Sequence, residues 1–359
     1  MSDRSFSRRS VLKTASAAPL AAAAAQSASA QTGPRSGPLK IVTTYPFEPA
    51  EVEKIAAATP VPVEIRICKT PQEFRDQLRD AEVVYGGIRG ADLDFAPKLK
   101  WMQSGGAGME GTDPKVMASP LIITNYQRTF APGISETAIA HLLALSRGLV
   151  KNYLPQFYLK KTMASVGTPK SDDHIEMVGR TMGIVGMGGI GSAIARRAYY
   201  GLDMRIIATD AKPMPKPDYV QELHDPSYLM KMVPTVDVLV CAAPHTKITE
   251  RMFNEQVFRS MKKTAFFIAM SRGKLYDENA LVRALKEGWI AGAGLDVFPI
   301  EPVPPGHPIF ECDNVIMSAH TSGWSPDRQV RLIDVFADNV HRYTTGLPLM
   351  NVVDKEKGY

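Results

Sequence analysis

Three glycines with the spacing G-x-G-x-x-G stand between an apolar run and a helical stretch, and together they could hold the phosphates of a nucleotide. Gly186 permits a tight turn, Gly188 lets the backbone approach a phosphate with no Cβ in the way, and Gly191 lets the helix lie close to its strand. Gly189 and Ile190 lie at the start of the helix, whose free N–H groups and positive dipole end favour an anion. We therefore expect a pyrophosphate at this turn.

An acidic residue ends the apolar run that follows the helix. Asp210 stands nineteen residues after Gly191, directly after the run 205–209. A carboxylate at that place would accept hydrogen bonds from the ribose hydroxyls of NAD and would repel a 2′-phosphate. Strand, glycine turn, helix and closing acid together predict dinucleotide binding, with NAD as the cofactor.

Four further apolar runs of the second half end in polar or turn-forming residues. In an open parallel sheet such strand ends meet at one edge, where ligands bind. The residues at these ends include Ala243 and Pro244, Met270 and Arg272, Asp296 and Glu301, and His320. We expect Ala243, Pro244 and Met270 to face the cofactor. One arginine, one glutamate and one histidine would meet beside it. Hydride transfer to a keto oxygen needs both a cation and a proton donor, and these side chains could supply them.

Apolar runs alternate with helical segments both before and after the glycine turn. This alternation predicts right-handed βαβ units and parallel sheets. Before the turn the expected strands are 39–44, 63–68, 82–86, 98–103 and 121–124, and after Asp210 they are 236–242, 265–269, 290–296 and 314–317. The first set forms a complete small domain before the turn is reached.

Two helical segments, 134–149 and 326–345, are placed to carry the chain from the first domain to the second and back. The predicted fold class is therefore α/β, with two doubly wound parallel-sheet domains. A Rossmann NAD-binding domain at 134–323 would be inserted into a flavodoxin-like substrate domain at 39–133 and 324–359, which leaves a cleft between them.

The first thirty residues have a different composition from the rest. The segment Ser7–Lys13 matches the twin-arginine export pattern, 15–25 is rich in alanine, and 28–30 is an A-x-A cleavage site. We expect a signal peptide at 1–30, a linker at 31–38, export of the folded protein by the twin-arginine machinery, and a periplasmic location.

Charge and hydropathy exclude two classes of partner. The leader accounts for +3 of the formal net charge of +5, so about +2 remains, which argues against a nucleic-acid surface. No stretch after residue 40 is apolar enough to span a bilayer, so we expect no membrane association once the leader is removed.

The three cysteines, Cys68, Cys241 and Cys312, are far apart, and each lies within or beside an apolar run. We expect buried thiols and not a disulfide framework. The sequence has no C-x-x-C and no histidine cluster at zinc spacing, so it predicts no metal site.

Beyond the glycine turn, three motifs at 261–273, 293–302 and 318–323 follow one another in a specific order and spacing. With them the chain resembles the D-isomer-specific 2-hydroxyacid dehydrogenase family over nearly its whole mature length. The resemblance implies an NAD-dependent oxidoreductase that interconverts a 2-keto acid and a D-2-hydroxy acid by hydride transfer. It also implies a homodimer.

The resemblance further implies roles for individual residues. His320 would be the acid/base, and Glu301 would hydrogen-bond it, since a nearby carboxylate favours a protonated imidazole. Arg272 would bind the carboxylate and keto oxygen of the substrate. Asp296 would lie near the nicotinamide carboxamide. The backbone N–H groups of the turn Gly106-Ala107-Gly108 would hold the substrate carboxylate from the first domain.

Two alternatives stay open at this point. A reductase of sugar-derived 2-keto acids, the 2-ketoaldonates, needs a wider pocket, and the side chains of Tyr45, Arg89 or Trp324 would decide it. A catalytically silent NAD-binding sensor is the other, although a pure binder has no chemical use for Glu301 and His320. The sequence departs from many family members at Ala269 and Ala319, which bears on loop geometry.

Overall fold

The computed structural model describes residues 37–158 and 174–359, so the predicted signal peptide and most of the predicted linker lie outside the described residues. Within this part the chain forms two parallel sheets, one of five strands and one of seven. The strands are β1 (Leu39–Thr43), β2 (Val63–Ile67), β3 (Val83–Gly86), β4 (Trp101–Ser104), β5 (Ile122–Thr124), β6 (Thr181–Val185), β7 (Arg205–Thr209), β8 (Glu222–His224), β9 (Val238–Cys241), β10 (Phe266–Ala269), β11 (Gly292–Leu295) and β12 (Val315–Met317).

Helices connect most of these strands and cover both faces of each sheet. They are α1 (Pro49–Ala57), α2 (Pro71–Leu78), α3 (Pro114–Ala118), α4 (Ala131–Ser146), α5 (Leu154–Tyr158), α6 (Gly189–Leu202), α7 (Leu229–Met232), α8 (Glu255–Ser260), α9 (Glu278–Lys286) and α10 (Pro326–Thr345). Several begin as the local sequence dictates. In α2, for example, the Thr70 side chain accepts the N–H of Glu73 and Pro71 occupies the first turn.

The first sheet has the strand order β2-β1-β3-β4-β5, which is that of flavodoxin-like folds. Each face carries its own apolar core. Phe336 and Val340 of α10 are fully buried on the face that also buries Trp101 of β4, so the last long helix does return to the first domain as expected.

The second sheet has the order β12-β11-β10-β9-β6-β7-β8, with β6 between β7 and β9. The chain leaves β6 in one direction and later resumes on its other side, so the strand order reverses at the carboxyl end of β6. Ligands bind at such a reversal in open α/β sheets. The glycine turn directly follows β6 and therefore lies at this point.

Strand β8 was not predicted from the sequence. Its three residues are half-buried, and Glu222 and His224 are polar, so this edge strand has no apolar run. The bridging helix α4 begins at Ala131 and not at 134, and it ends before Gly148, whose φ of 68° stops it. No helix among the described residues is both long enough and apolar enough to cross a membrane.

Candidate active site

The glycine turn after β6 is tight because two backbone segments meet inside it. Gly186 has a φ of 96°, and a Cβ there would lie 2.7 Å from the backbone nitrogen of Ala243, in the loop after β9. A Cβ on Gly191 would lie 1.9 Å from the carbonyl oxygen of Gly186. A Cβ on Gly188, by contrast, would meet no atom within 4 Å. The turn is thus closed on its inner side and open at Gly188, which suits a phosphate resting on the backbone at the start of α6.

Asp210 lies beside this turn, as its spacing predicts. Its Oδ2 accepts the N–H of Met187 at 2.7 Å, and its Oδ1 accepts the N–H of Lys212 at 2.7 Å. The carboxylate is therefore fixed next to the phosphate cradle. An open glycine, a helix N-terminus and a fixed carboxylate are the groups that a dinucleotide needs, so these residues fit the predicted cofactor.

A cavity of about 200 Å³ lies between the two domains at the carboxyl ends of the second sheet. Met270, Arg272, Asp296 and His320 line it from the strand ends, and Ile190 lines it from the start of α6. The first domain contributes Ala107 to the same cavity. The structure thus brings together the predicted arginine, the histidine and the glycine turn.

His320 and Glu301 form a hydrogen-bonded pair at the edge of this cavity. Nδ1 of His320 lies 2.7 Å from Oε2 of Glu301, and Oε1 of Glu301 accepts the N–H of Phe298 at 2.8 Å. Because a carboxylate only accepts, Nδ1 carries the hydrogen. Nε2 is then the ring nitrogen left to exchange a proton. His320 itself has a φ of 54°, a left-handed conformation that is uncommon for residues other than glycine and occurs at functional sites.

Asp296 holds the loop that carries His320. Its carboxylate, which is 1 % exposed, accepts hydrogen bonds from the Ser318 hydroxyl at 2.6 Å and from the N–H of Thr321 at 3.1 Å. Both the N–H and the hydroxyl of Ser322 donate to it as well. The geometry gives Asp296 a positioning role, and its predicted contact with the nicotinamide carboxamide stays a prediction.

Arg272 reaches across the cavity to the first domain. Its Nε donates to Oε1 of Glu110 at 2.8 Å, and its Nη1 donates to the carbonyl of Ser271 at 2.7 Å. A Cβ on Gly108 would lie 1.9 Å from Nη2 of Arg272, so the guanidinium rests directly on that glycine. The arginine and the predicted turn 106–108 are therefore in contact.

The three backbone N–H groups of this turn are not equivalent. The N–H of Gly106 is already used by the hydroxyl of Ser104, at 3.3 Å. Those of Ala107 and Gly108 make no hydrogen bond within residues 37–158 and 174–359. Asn125 fixes the turn by donating from Nδ2 to the carbonyl of Ala107 at 2.8 Å. Ala107 and Gly108 thus hold the free donors of this turn, and the predicted contact of the turn 106–108 with a substrate carboxylate stays a prediction.

Tyr45, Arg89 and Trp324, the side chains expected to decide the width of the pocket, lie in different positions relative to the cavity. Trp324 lines the cavity and is 68 % exposed, whereas Arg89 is held by Asp92, with Nε at 2.9 Å from Oδ2. Burial raises the pKa of Tyr45. The charge of Arg328, in α10, acts on the same phenol and partly opposes that rise. Arg89 does not line this cavity, but it lines a second cavity of about 400 Å³ together with Gly106 and Gly108.

Three charged residues of the site were not predicted from the sequence. Glu110 follows Gly108 by only two residues, so its place in a glycine-rich loop was a usable signal. Arg128 and Arg328 both line the cavity. Neither stands at a strand end of the second domain or within the glycine turn at 106–108, so neither belonged to a predicted motif.

Within residues 37–158 and 174–359, no group of three or more His, Cys, Asp or Glu side chains could hold a metal ion. Cys68 and Cys241 are buried free thiols, as expected, and burial raises the pKa of Cys241 to about 12. Cys312 is also free but only half-buried.

Comparisons with known proteins identify the family. The model of the D-isomer specific 2-hydroxyacid dehydrogenase NAD-binding domain matches residues 139–322. Glyoxylate reductases of Korarchaeum cryptofilum and Pyrococcus horikoshii are 35% and 34% identical to the chain, and each alignment covers 74% of this chain and 79% of the relative. A solved NADPH-dependent glyoxylate/hydroxypyruvate reductase of Sinorhizobium meliloti, in complex with NADP and sulfate, has a TM-score of 0.73 at 26% identity, covering 89% of this chain and 99% of that one. The chain therefore belongs to the D-isomer specific 2-hydroxyacid dehydrogenases.

Proposed function

We propose that this oxidoreductase uses NADH to reduce a short 2-keto acid of the glyoxylate type to the corresponding 2-hydroxy acid, with D configuration where the product is chiral, and catalyses the reverse oxidation with NAD. The observation that carries the proposal is the meeting of Arg272, His320 and Ala107 at one cavity beside the glycine turn, with Gly108 in contact with the guanidinium of Arg272. The related glyoxylate reductases support the same substrate class.

Each side chain has a defined task in this reaction. Arg272 and the N–H groups of Ala107 and Gly108 bind the substrate carboxylate and polarise the keto group. A bound dihydronicotinamide would supply the hydride. His320 donates the proton from Nε2 to the keto oxygen, so that the carbonyl becomes a hydroxyl, and Glu301 keeps the ring oriented through Nδ1–H.

We infer that NAD is preferred over NADP because Asp210 is fixed beside the turn by two backbone N–H groups. Its charge would repel a 2′-phosphate. The solved S. meliloti relative is NADPH-dependent, so the preference needs a direct measurement. We expect kcat/KM to be at least about tenfold higher with NADH than with NADPH, which corresponds to about 1.4 kcal/mol. Asp210→Ala is expected to reduce that ratio. A wild-type preference for NADPH would overturn the inference.

The decisive experiment follows nicotinamide absorbance with glyoxylate, hydroxypyruvate, pyruvate and 2-ketogluconate. His320→Ala should lower kcat at least about 100-fold, because it removes the proton donor. His341→Ala, which changes a histidine on α10 outside the cavity, is the matched control and should keep activity. Nucleotide binding without turnover of any keto acid would favour the sensor, and a clear preference for 2-ketogluconate would favour the 2-ketoaldonate reductase.

We also propose that the protein is exported to the periplasm with its cofactor already bound. The motif at Ser7–Lys13 supports export of a folded chain, and free NAD(H) is a cytoplasmic cofactor. Tightly held NAD would be recycled in place by oxidising one hydroxy acid and reducing another keto acid. Fractionation should find the protein in the periplasm, and the double change Arg8→Lys with Arg9→Lys should retain it in the cytoplasm. Periplasmic protein that lacks nucleotide would contradict the recycling scheme.

A homodimer through the cofactor domain is the assembly that we propose. Leu149, Leu154, Phe157 and Tyr158 follow α4 and are exposed apolar side chains on one stretch of that domain. Contiguous exposed apolar surface favours association. Light scattering after gel filtration should give twice the mass of the mature chain, and a monomer at micromolar concentration would contradict the proposal.

A further inference from the structure

The cavity carries more positive charge than a simple 2-keto acid requires. Three arginines line it, namely Arg128, Arg272 and Arg328. Among the described residues that line it, Asp296 is the one carboxylate, and its oxygens are occupied by the loop 318–322. These guanidinium groups can therefore bind anionic ligands, and Arg272 is already paired with Glu110, which lies outside the lining.

Two of the three arginines can be assigned within the proposed function. Arg272 is paired with Glu110 and faces the substrate carboxylate. Arg128 rests on the nucleotide turn, since a Cβ on Gly189 would lie 2.6 Å from its Cγ. A guanidinium at that place is suited to the diphosphate of the cofactor. Arg328 remains without an assigned anion.

Arg328 is held in place without a carboxylate partner. It lies in the first turn of α10, half-buried, with its guanidinium carbon 4.9 Å from the ring centroid of Trp324. None of the ion pairs or side-chain hydrogen bonds within residues 37–158 and 174–359 includes this guanidinium. Stacking on an indole orients a guanidinium while leaving its N–H groups free to bind an anion.

Burial and the charge of Glu51 raise the pKa of Tyr45 while the charge of Arg328 lowers it, so Glu51 and Arg328 both act on this phenol. Glu51 is already engaged in hydrogen bonds. Its Oε2 accepts the N–H of Glu48 at 2.9 Å, and its Oε1 accepts Nε2 of Gln329 at 2.8 Å. These bonds hold Glu51 at the start of α1, so it does not neutralise Arg328 by direct pairing.

We propose that Arg328, stacked on Trp324, forms a distal anion subsite, and that the preferred substrate is a 2-keto acid with a second carboxylate on its far end. The inference rests on the proposed function, because it takes Arg272 and His320 as the groups that bind the reacting end. The second carboxylate takes no part in the chemistry. The keto group still gains one hydride and one proton. The distal carboxylate, bound to Arg328, fixes the orientation of the substrate between the two domains.

The test compares keto acids that differ only in the distal carboxylate. We would measure kcat/KM for oxaloacetate against 2-oxobutyrate, and for 2-oxoglutarate against 2-oxovalerate, with glyoxylate as the reference. The wild type should prefer the dicarboxylate at least about tenfold in one of the two pairs, chiefly through KM. Arg328→Met, which keeps an unbranched side chain against Trp324, should reduce that ratio to below about threefold, and Arg328→Lys should retain part of it.

A matched control removes the same charge from the same helix. Arg342 pairs with Asp338 near the other end of α10, and fourteen residues correspond to about 21 Å along the axis. Arg342→Met should therefore leave the dicarboxylate ratio unchanged.

The two proposals fail in different ways. Turnover of glyoxylate with no preference for either dicarboxylate, or a preference that Arg328→Met does not change, would overturn the distal subsite alone. Absence of turnover with all five keto acids in a folded, nucleotide-bound protein would overturn the proposed function itself.

Discussion

Glu110 and Arg272 join the two domains across the cavity by a two-point contact. Nε of Arg272 donates to Oε1 of Glu110 at 2.8 Å, and Nη2 lies 3.4 Å from Oε2. The same guanidinium donates from Nη1 to the carbonyl of Ser271. Since the arginine follows β10 and the glutamate lies in the loop after β4, this contact exists only when the domains are close together. Glu110 therefore fixes the arginine that we assign to the substrate carboxylate.

Loss of the Glu110 charge should weaken substrate binding more than it slows the chemistry. In Glu110→Gln the guanidinium keeps its charge but loses its anchor, and ordering a long side chain on binding costs about 0.5–1.5 kcal/mol. We expect KM for glyoxylate to rise about 2- to 10-fold with little change in kcat, as measured by steady-state kinetics. The KM of Glu110→Asp for glyoxylate should lie between the values of the wild type and of Glu110→Gln. A lower KM in Glu110→Gln would instead show that this carboxylate competes with the substrate.

Substitutions at two glycines of the nucleotide turn should have different effects, one on the stability of the fold and the other on cofactor binding. Gly191→Ala places a Cβ 1.9 Å from a backbone oxygen, which should cost about 1–3 kcal/mol and lower the Tm by about 2–4 °C for each kcal/mol. Gly188 has a φ of −66° and open space around it, so Gly188→Ala should keep the Tm. We nevertheless expect it to raise the Kd for NADH at least about tenfold, because the methyl group occupies the phosphate cradle.

Calorimetry and thermal unfolding of both variants test this distinction. If Gly188→Ala bound NADH with the Kd of the wild type, the assignment of the phosphate site to Gly188 would be wrong. If Gly191→Ala unfolded at the wild-type temperature, the close approach to Gly186 would not constrain the turn.

Much of the fold could be predicted because parallel strands that are covered on both faces appear as apolar runs. Such runs gave the place of β6, β7 and β10, and the parallel order then placed their polar ends at one edge. Edge strand β8 was not predicted because two of its three residues are polar and all three are only half-buried. The partner of Arg272 was not predicted for another reason. Glu110 is 162 positions away in the sequence, and the contact depends on how two separately folded domains close.

The thiols should be unreactive in the folded protein and unpaired. Burial raises the pKa of Cys241 to about 12 and raises that of Cys68, so the reactive thiolate is scarce in both. Cys312 is half-buried, and burial raises its pKa too. With a thiol reagent at pH 8 we expect at most one slow reaction per native chain, which Cys312→Ser should abolish. Denaturation without reductant should release three thiols, and a smaller number would reveal a disulfide.

The stability of the cofactor domain should fall between pH 7.5 and pH 5.5 because of His141. This residue of α4 is buried against β11. A Cβ added to Gly294 of that strand would lie 2.8 Å from the Cβ of His141. Burial lowers its pKa below the ordinary 6.5, although the charge of Asp296 acts in the opposite direction. The unfolded chain therefore takes up a proton near pH 6.5 that the folded chain takes up only at lower pH.

The sign of this effect follows from the bound protons. Below pH 6.5 the unfolded state binds more protons, so the contribution is complete above that pH and is lost as the pH falls. At pH 5.5 the loss is at most about 1.4 kcal/mol, one pH unit below the unfolded pKa. Urea unfolding at the two pH values should show a smaller difference for His141→Gln than for the wild type, because glutamine does not titrate. An equal difference in both proteins would mean that His141 is protonated as readily in the folded chain as in the unfolded one.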